Sequence, residues 1–154
     1  MESSLSAQTK IRYVDSPDDI APEQIHGFFQ GWPDPPSPET HLRLLERSDY
    51  VVLAVDDESG DVVGFVTAIT DHVLAAYIPF LEVRPEHRGR AIGSELMRRM
   101  LDRLQGLYMV DLVCDPELRP FYASVGMSPI TAMMVRNPAR QSGRRAEPAA
   151  DGEA

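Results

Sequence analysis

The chain has 154 residues, 43% hydrophobic and 25% charged, close to the averages of a soluble globular protein and enough for one core that buries roughly 70% of the surface the unfolded chain exposes. A single cysteine, Cys114, excludes an internal disulfide, and His26, His41, His72 and His87 lie too far apart for a zinc motif, so neither staple nor metal is expected. With 15 Lys and Arg against 24 Asp and Glu the formal net charge is −9, which argues against nucleic acid and favours a cationic or amine-bearing partner.

Residues 1–9 are polar, with no apolar segment of the secretory kind, and no stretch approaches the about 18 uncharged apolar residues of a membrane span. We therefore expect a flexible N-terminal tail, no membrane partner and a cytoplasmic protein. A single domain then occupies 10–136. Lys10 to Val14 reads as a strand, and Pro22 to Gln30 as a helix with Ile25, Phe28 and Phe29 on one stripe. Gly31 to Pro38 has four prolines in eight positions and must be a loop. Ser37 N-caps the next helix, with Pro38 at its first position and an end near Arg47.

Asp49 to Val55 and Val62 to Ile69 are β-branched and apolar on both faces, and the turn residues between them predict a buried antiparallel hairpin. A third strand covers about Leu74 to Val83. Ile92 to Leu104 has helical period, with Ile92, Leu96, Met97, Met100, Leu101 and Leu104 on one side. Leu107 to Cys114 reads as a strand, Pro120 to Val125 as a short helix ended by Gly126, and Met127 to Val135 as a last strand. Residues 137–154, rich in Pro, Arg, Ala and Glu, read as a disordered tail. The class is α/β, a mixed sheet covered by helices.

The segment Phe80 to Leu96 carries the chemistry. A strand runs out, a turn with Arg88, Gly89 and Arg90 follows, and an amphipathic helix begins. Its first turn offers unpaired amides and the positive end of the helix dipole, and Gly89 and Gly93 admit a ligand close to the backbone. That suits a phosphate; tight strand-to-helix packing is the alternative use of the same glycines. The pattern is neither Walker A nor the dinucleotide fingerprint.

Arg88-Gly89-Arg90-Ala91-Ile92-Gly93, after a strand ending Leu81-Glu82-Val83-Arg84-Pro85, resembles the acyl-CoA signature of the GCN5-related N-acetyltransferase (GNAT) family. Phe121-Tyr122-Ala123-Ser124-Val125-Gly126-Met127 is similar to that family's second motif, and the likeness runs from Lys10 to Val135. It implies a centrally splayed sheet with acetyl-CoA as cosubstrate and no metal. Leu81 and Val83 would pair with the pantetheine arm. The amides from Gly89 through Ala91, Ile92 and Gly93 to Ser94 would hold the pyrophosphate, with Arg88 and Arg90 supplying charge. Ala91 stands where the family usually has a glycine, and we expect its methyl to be tolerated in a helical first turn. Asp115 stands where an asparagine contacting the cofactor is common, and it also reads as an N-cap.

The resemblance implies direct transfer to a primary amine, on a small molecule or a peptide, with Tyr122 as general acid; an aromatic core pair with Phe121 is the alternative. Glu82, opposite Leu81 and Val83 by strand alternation, and Asp111 are the candidate bases; a Glu82 that is solvated or salt-bridged to Arg84 or Arg119 is the plainer account of that residue. Tyr77 and Trp32 are expected on the acceptor side, with the loop Gly31 to Pro38 and the turn near Thr70 to Val73 setting substrate choice. A non-catalytic acyl-CoA-binding module is the competing reading. A homodimer through the last strands is a further expectation.

Overall fold

A computed structural model describes residues 9–144, so of the tails expected at 1–9 and 137–154 the parts 1–8 and 145–154 lie outside the described residues. The elements are β1 (Ile11–Val14), α1 (Pro38–Arg47), β2 (Tyr50–Asp56), β3 (Val62–Thr70), β4 (Ala75–Val83), α2 (Ile92–Leu104), β5 (Met109–Asp111) and α3 (Arg119–Ser124). The strands form one sheet in sequence order, antiparallel from β1 to β4 and parallel between β4 and β5.

Alternation along the strands builds two cores, one on each face. Val52 and Ala54 of β2 face α2, whose Ile92, Leu96, Met97, Met100 and Leu104 are buried against them. Val51, Leu53 and Val55 face the other way, onto Leu45 of α1 and the Ile25, Phe28 and Phe29 side chains. Each fully buried aliphatic or aromatic side chain contributes about 1.5–3 kcal/mol, so the apolar stripe of α2 is what seats it on the sheet. The arginines of α2 occupy its outer surface: Arg98 and Arg99 pair with Glu95, while Arg103 reaches Asp15 at 3.0 Å.

An irregularity in β4 decides which residues face the site. Thr67 pairs with Phe80 and Ile69 with Tyr77, so two steps on β3 oppose three on β4, and the extra residue falls at Ile78–Pro79. Proline has no N–H for the ladder and belongs at such a bulge. Facing parity changes there. Ala76 and Ile78 point to the α2 core before the bulge, and Leu81 and Val83 do so after it, leaving Phe80 and Glu82 on the opposite face. The bulge also parts the sheet: β5 pairs with β4 only at Ala75–Tyr77, and the rest of β4 opens onto a cleft.

Four expectations need correction. The helix over Pro22 to Gln30 is a single 3-10 turn at Pro22–Gln24, because Gly27, Phe29 and Gly31 all take positive φ and a chain in that conformation cannot continue a right-handed helix. The strand over Leu107 to Cys114 keeps only Met109–Asp111, the part opposite β4 before the bulge. Met127 to Val135 forms no strand, since no neighbour among the described residues pairs with it. The tail from Asn137 starts as a packed turn: Pro138–Arg140 is 3-10, Ser142 is buried, and Gln141 Oε1 accepts from the Asp34 amide at 2.8 Å.

Candidate active site

The cleft left by the parted strands has a volume of about 610 Å³, with Leu81, Val83, Arg88, Gly89, Ala91, Ile92, Gly93 and Ser94 among its walls. The first helical hydrogen bond of α2 runs from the Glu95 amide to the Ala91 carbonyl. The amides of Ile92, Gly93 and Ser94 precede it and, with the dipole of a 13-residue helix behind them, suit an anionic group. A Cβ at Gly93 would stand 3.5 Å from the Phe121 ring, an ordinary contact, so the packing of α3 on the helix start does not itself demand a glycine here. Gly89, at φ +78, shapes the turn and leaves open space above it.

Ala91 is not in the first helical turn. It is the N-cap, at φ 58 and ψ 18, in the left-handed region where glycine is at ease and an alanine methyl costs about 1–2 kcal/mol. Arg88 lines the cleft and donates from Nε to the Val83 carbonyl at 3.2 Å. Arg90 does not line it; its guanidinium donates to the Thr9 carbonyl at 2.7 Å and ties the loop to the chain before β1.

A second cavity of about 430 Å³ adjoins the cleft and shares Leu81, Glu82, Leu118 and Tyr122 with it. Its walls include Phe29, Trp32, Tyr77 and Phe80, with Asp115 and Arg136 also bordering it. Trp32 stacks near Phe29 with centroids 4.9 Å apart, and Phe29 meets Phe80 edge-on at 5.9 Å. Asp115 therefore borders this cavity, not the helix-start cleft, and although its backbone begins the 3-10 turn Pro116–Leu118, its side chain makes no capping bond. The turn near Thr70 to Val73 is absent from the walls; Asp71 Oδ1 accepts from the amides of Val73, Leu74 and Ala75, which holds its carboxyl down at about 2.

Tyr122 lines the cleft, the cavity and a groove beside β5. Burial pushes its phenol up to about 12, and the nearby Cys114 thiol acts in the same direction. Glu82 lies at the junction, but its carboxylate is engaged: Oε2 accepts from the Phe29 amide at 2.8 Å and Oε1 from the Gln30 amide at 3.2 Å. Two successive amides around a left-handed residue form an anion nest, and Glu82 fills it. Expected pairing of Glu82 with Arg84 or Arg119 is not seen; Arg84 goes to Asp61 and Glu86. Asp111 is half-buried and borders the β5 groove, not the acceptor cavity.

Behind the aromatic wall lies His41, 2% exposed, its ring 4.4 Å from Phe65 and 4.8 Å from Phe29. Burial pushes its pKa down to about 4, so it is a neutral member of the aromatic cluster. Phe29, Phe80 and Phe121 are site walls that sequence reading passed over. Gly27 and Gly31 bracketing Phe28-Phe29 were the available signal, since two glycines that close mark a turn more readily than a helix.

Residues 18–127 match the model of the acetyltransferase (GNAT) family. A solved structure of a provisionally named acetyltransferase from Deinococcus radiodurans R1 is 46% identical, with a TM-score of 0.85 over 88% of this chain and 94% of that one. A GNAT-family structure from Xanthomonas campestris pv. campestris is 25% identical, TM-score 0.67, over 86% of this chain and 97% of that one. An aminoglycoside N-acetyltransferase solved with CoA shares the fold at 14% identity, TM-score 0.63, over 86% of this chain and 97% of that one. No curated protein matches. The chain belongs to the GNAT acetyltransferase family, and its mixed five-stranded sheet is the acyl-CoA N-acyltransferase fold. By class it is an N-acetyltransferase.

Proposed function

We propose that this protein transfers the acetyl group of acetyl-CoA to a primary amine by direct attack. The observation that carries the reading is the position of Tyr122, one phenol bordering both the cleft beside the α2 amides and the aromatic cavity next to it. The amides of Ile92 to Ser94 would hold the pyrophosphate and the backbone of Leu81 and Val83 the pantetheine arm, which would bring the thioester to the side of the cleft that Tyr122 borders. A neutral amine in the aromatic cavity attacks the carbonyl carbon, forming the C–N bond as the C–S bond breaks. Tyr122, protonated throughout the neutral range, donates to the departing thiolate, and the proton shed by the amine leaves through the mouth bordered by Asp115. The products are an amide and CoA thiol, with Tyr122 reprotonated from solvent.

The walls Trp32, Phe29, Tyr77 and Phe80 favour an amine borne on a flat or apolar body, and the net charge of −9 favours a cationic one. We take the enzyme to be cytoplasmic and the acceptor to be a small molecule or a peptide; no helix of the described residues is long and apolar enough to cross a membrane. The test is a panel of primary amines scored for CoA thiol release. Release with at least one amine, lost in Tyr122→Phe while acetyl-CoA still binds, supports the reading. Binding without release from any amine would favour the non-catalytic alternative.

A further inference from the structure

The acceptor cavity has three charged side chains among its walls, Glu82, Asp115 and Arg136. The Glu82 carboxylate is already engaged by the Phe29 and Gln30 amides. Arg136 is the one cation on the cavity, and among the described residues no acid pairs with it; its guanidinium donates to the carbonyl of the neighbouring Val135 at 3.2 Å. Asp115 likewise makes no ion pair among the described residues, and its side chain forms no capping bond. Two opposite charges thus border one cavity without neutralising each other, beside the rings of Phe29, Trp32, Tyr77 and Phe80.

Arg136 reaches this position on a chain anchored at both ends. Before it, the Met127 amide donates to the Tyr122 carbonyl. After it, the turn Pro138–Arg140 leads to a buried Ser142, Gln141 Oε1 accepts from the Asp34 amide at 2.8 Å, and Arg43 donates to the Gly143 carbonyl. These contacts fall on α1 and on the proline-rich loop that carries Trp32, so one set of bonds holds both the cation and the aromatic wall. A guanidinium with open donors at a cavity wall suits a carboxylate, which it grips with two parallel hydrogen bonds. The net charge of −9 works against an anionic group over the molecule as a whole, so a carboxylate is admitted only beside a local cation of this kind.

We propose that the acceptor is an α-amino acid with an aromatic or large apolar side chain, its carboxylate held by Arg136, its side chain among the aromatic rings and its amine on the Tyr122 side of the cavity. The assignment rests on the proposed function and makes Arg136 the residue that sets specificity. An α-amino acid carries amine, carboxylate and side chain on one carbon, and the cavity offers one kind of wall for each. Its volume of about 430 Å³ takes one such molecule. The ammonium loses a proton to solvent past Asp115, and the free amine attacks, so that a C–N bond forms as the C–S bond breaks. The nitrogen then loses a second proton, while Tyr122 protonates the thiolate and is reprotonated from solvent. The products are an N-acetyl amino acid, CoA thiol and one net proton.

The test sets L-phenylalanine against phenethylamine, which lacks only the carboxylate, in wild type, Arg136→Gln and Arg136→Lys. Trp32 is the only tryptophan of the chain and stands in the cavity wall, so its emission reports binding with saturating CoA present, where no transfer takes place. Wild type should bind phenylalanine at least about tenfold more tightly than phenethylamine, and prefer it by a similar ratio in kcat/KM for CoA thiol release. Arg136→Gln should bring both ratios to about one, Arg136→Lys should keep part of the preference, and both variants should hold acetyl-CoA affinity within about threefold. Equal or tighter binding of phenethylamine by wild type, no Trp32 response to phenylalanine, or a ratio unchanged in Arg136→Gln overturns the assignment. Phenylalanine bound with the expected ratio but never acetylated overturns the transfer reaction and leaves the carboxylate site standing. Thiol release from phenethylamine with no preference for phenylalanine does the reverse.

Discussion

Ala91→Gly separates two accounts of the α2 start by the sign of its effect. If residue 91 were an ordinary helical position, glycine would destabilise the protein by about 1 kcal/mol, through the extra backbone freedom lost on folding. At φ 58 and ψ 18 the balance reverses. Relief of the methyl in the left-handed region gains about 1–2 kcal/mol, and the greater freedom of glycine in the unfolded chain returns about 0.4–1 of it. The net expectation is a variant about 0.5–1 kcal/mol more stable. For a domain of this size that raises the melting temperature by about 1–4 °C and moves the urea midpoint up with an unchanged slope. Thermal and urea melts of both proteins at one concentration decide the matter. A lower midpoint for Ala91→Gly would refute the left-handed assignment and return residue 91 to the helix. The same variant should bind acetyl-CoA at least as well as wild type, because the methyl at the helix entry is gone.

Tyr122→Phe should lower kcat by about 10² or more and leave acetyl-CoA affinity nearly intact, as judged by steady-state kinetics beside calorimetry; unchanged turnover would remove Tyr122 from the reaction. Because its phenol sits near 12, no loss of rate below about pH 10 should trace to Tyr122, and a basic limb that vanished in Tyr122→Phe within that range would contradict this. Glu82→Gln sets one amide NH2 group against the Phe29 and Gln30 amides, so the loop loosens and KM for the amine rises while the pH profile keeps its shape. An acidic limb abolished by Glu82→Gln would instead make Glu82 the base. His41 supplies a stability signature. Its pKa near 4 lies below the unfolded value near 6.5, so the unfolded chain binds more protons between them, and stability is full above about pH 6.5 and falls as pH drops toward 4. The loss is on the order of 3 kcal/mol, and urea melts of His41→Leu across that range should show a flatter slope. An unchanged slope would assign the acid sensitivity elsewhere.

What the sequence discloses follows physical range. The stripe from Ile92 to Leu104 and the cap at Ser37 are set by neighbours within one turn, and both elements stand where the periodicity puts them, with Ser37 Oγ accepting from the Thr40 amide. The glycine turn and helix start over Gly89 to Ser94 were legible for the same reason, as was the face of Glu82 opposite Leu81 and Val83. Long-range partners were not. That Glu82 is spent on two loop amides 52 and 53 residues away, that Arg90 turns to Thr9, and that Asp111 belongs to the β5 groove all depend on how the sheet closes. The bulge at Ile78–Pro79 reverses facing along β4, and only the proline hinted at it. Phe28 and Phe29 matched a helical stripe because both are buried, yet they reach the core from a left-handed turn. The residues from Met127 to Val135 have the composition of a strand and, among the described residues, no neighbour that makes them one.

The most direct test of the account is hydrogen exchange with and without saturating acetyl-CoA. Slowed exchange confined to Leu81–Val83 and to Gly89–Ser94 is the result predicted by a pantetheine arm along β4 and a pyrophosphate at the start of α2. No protection at those amides, or protection confined to the groove beside β5, would contradict it.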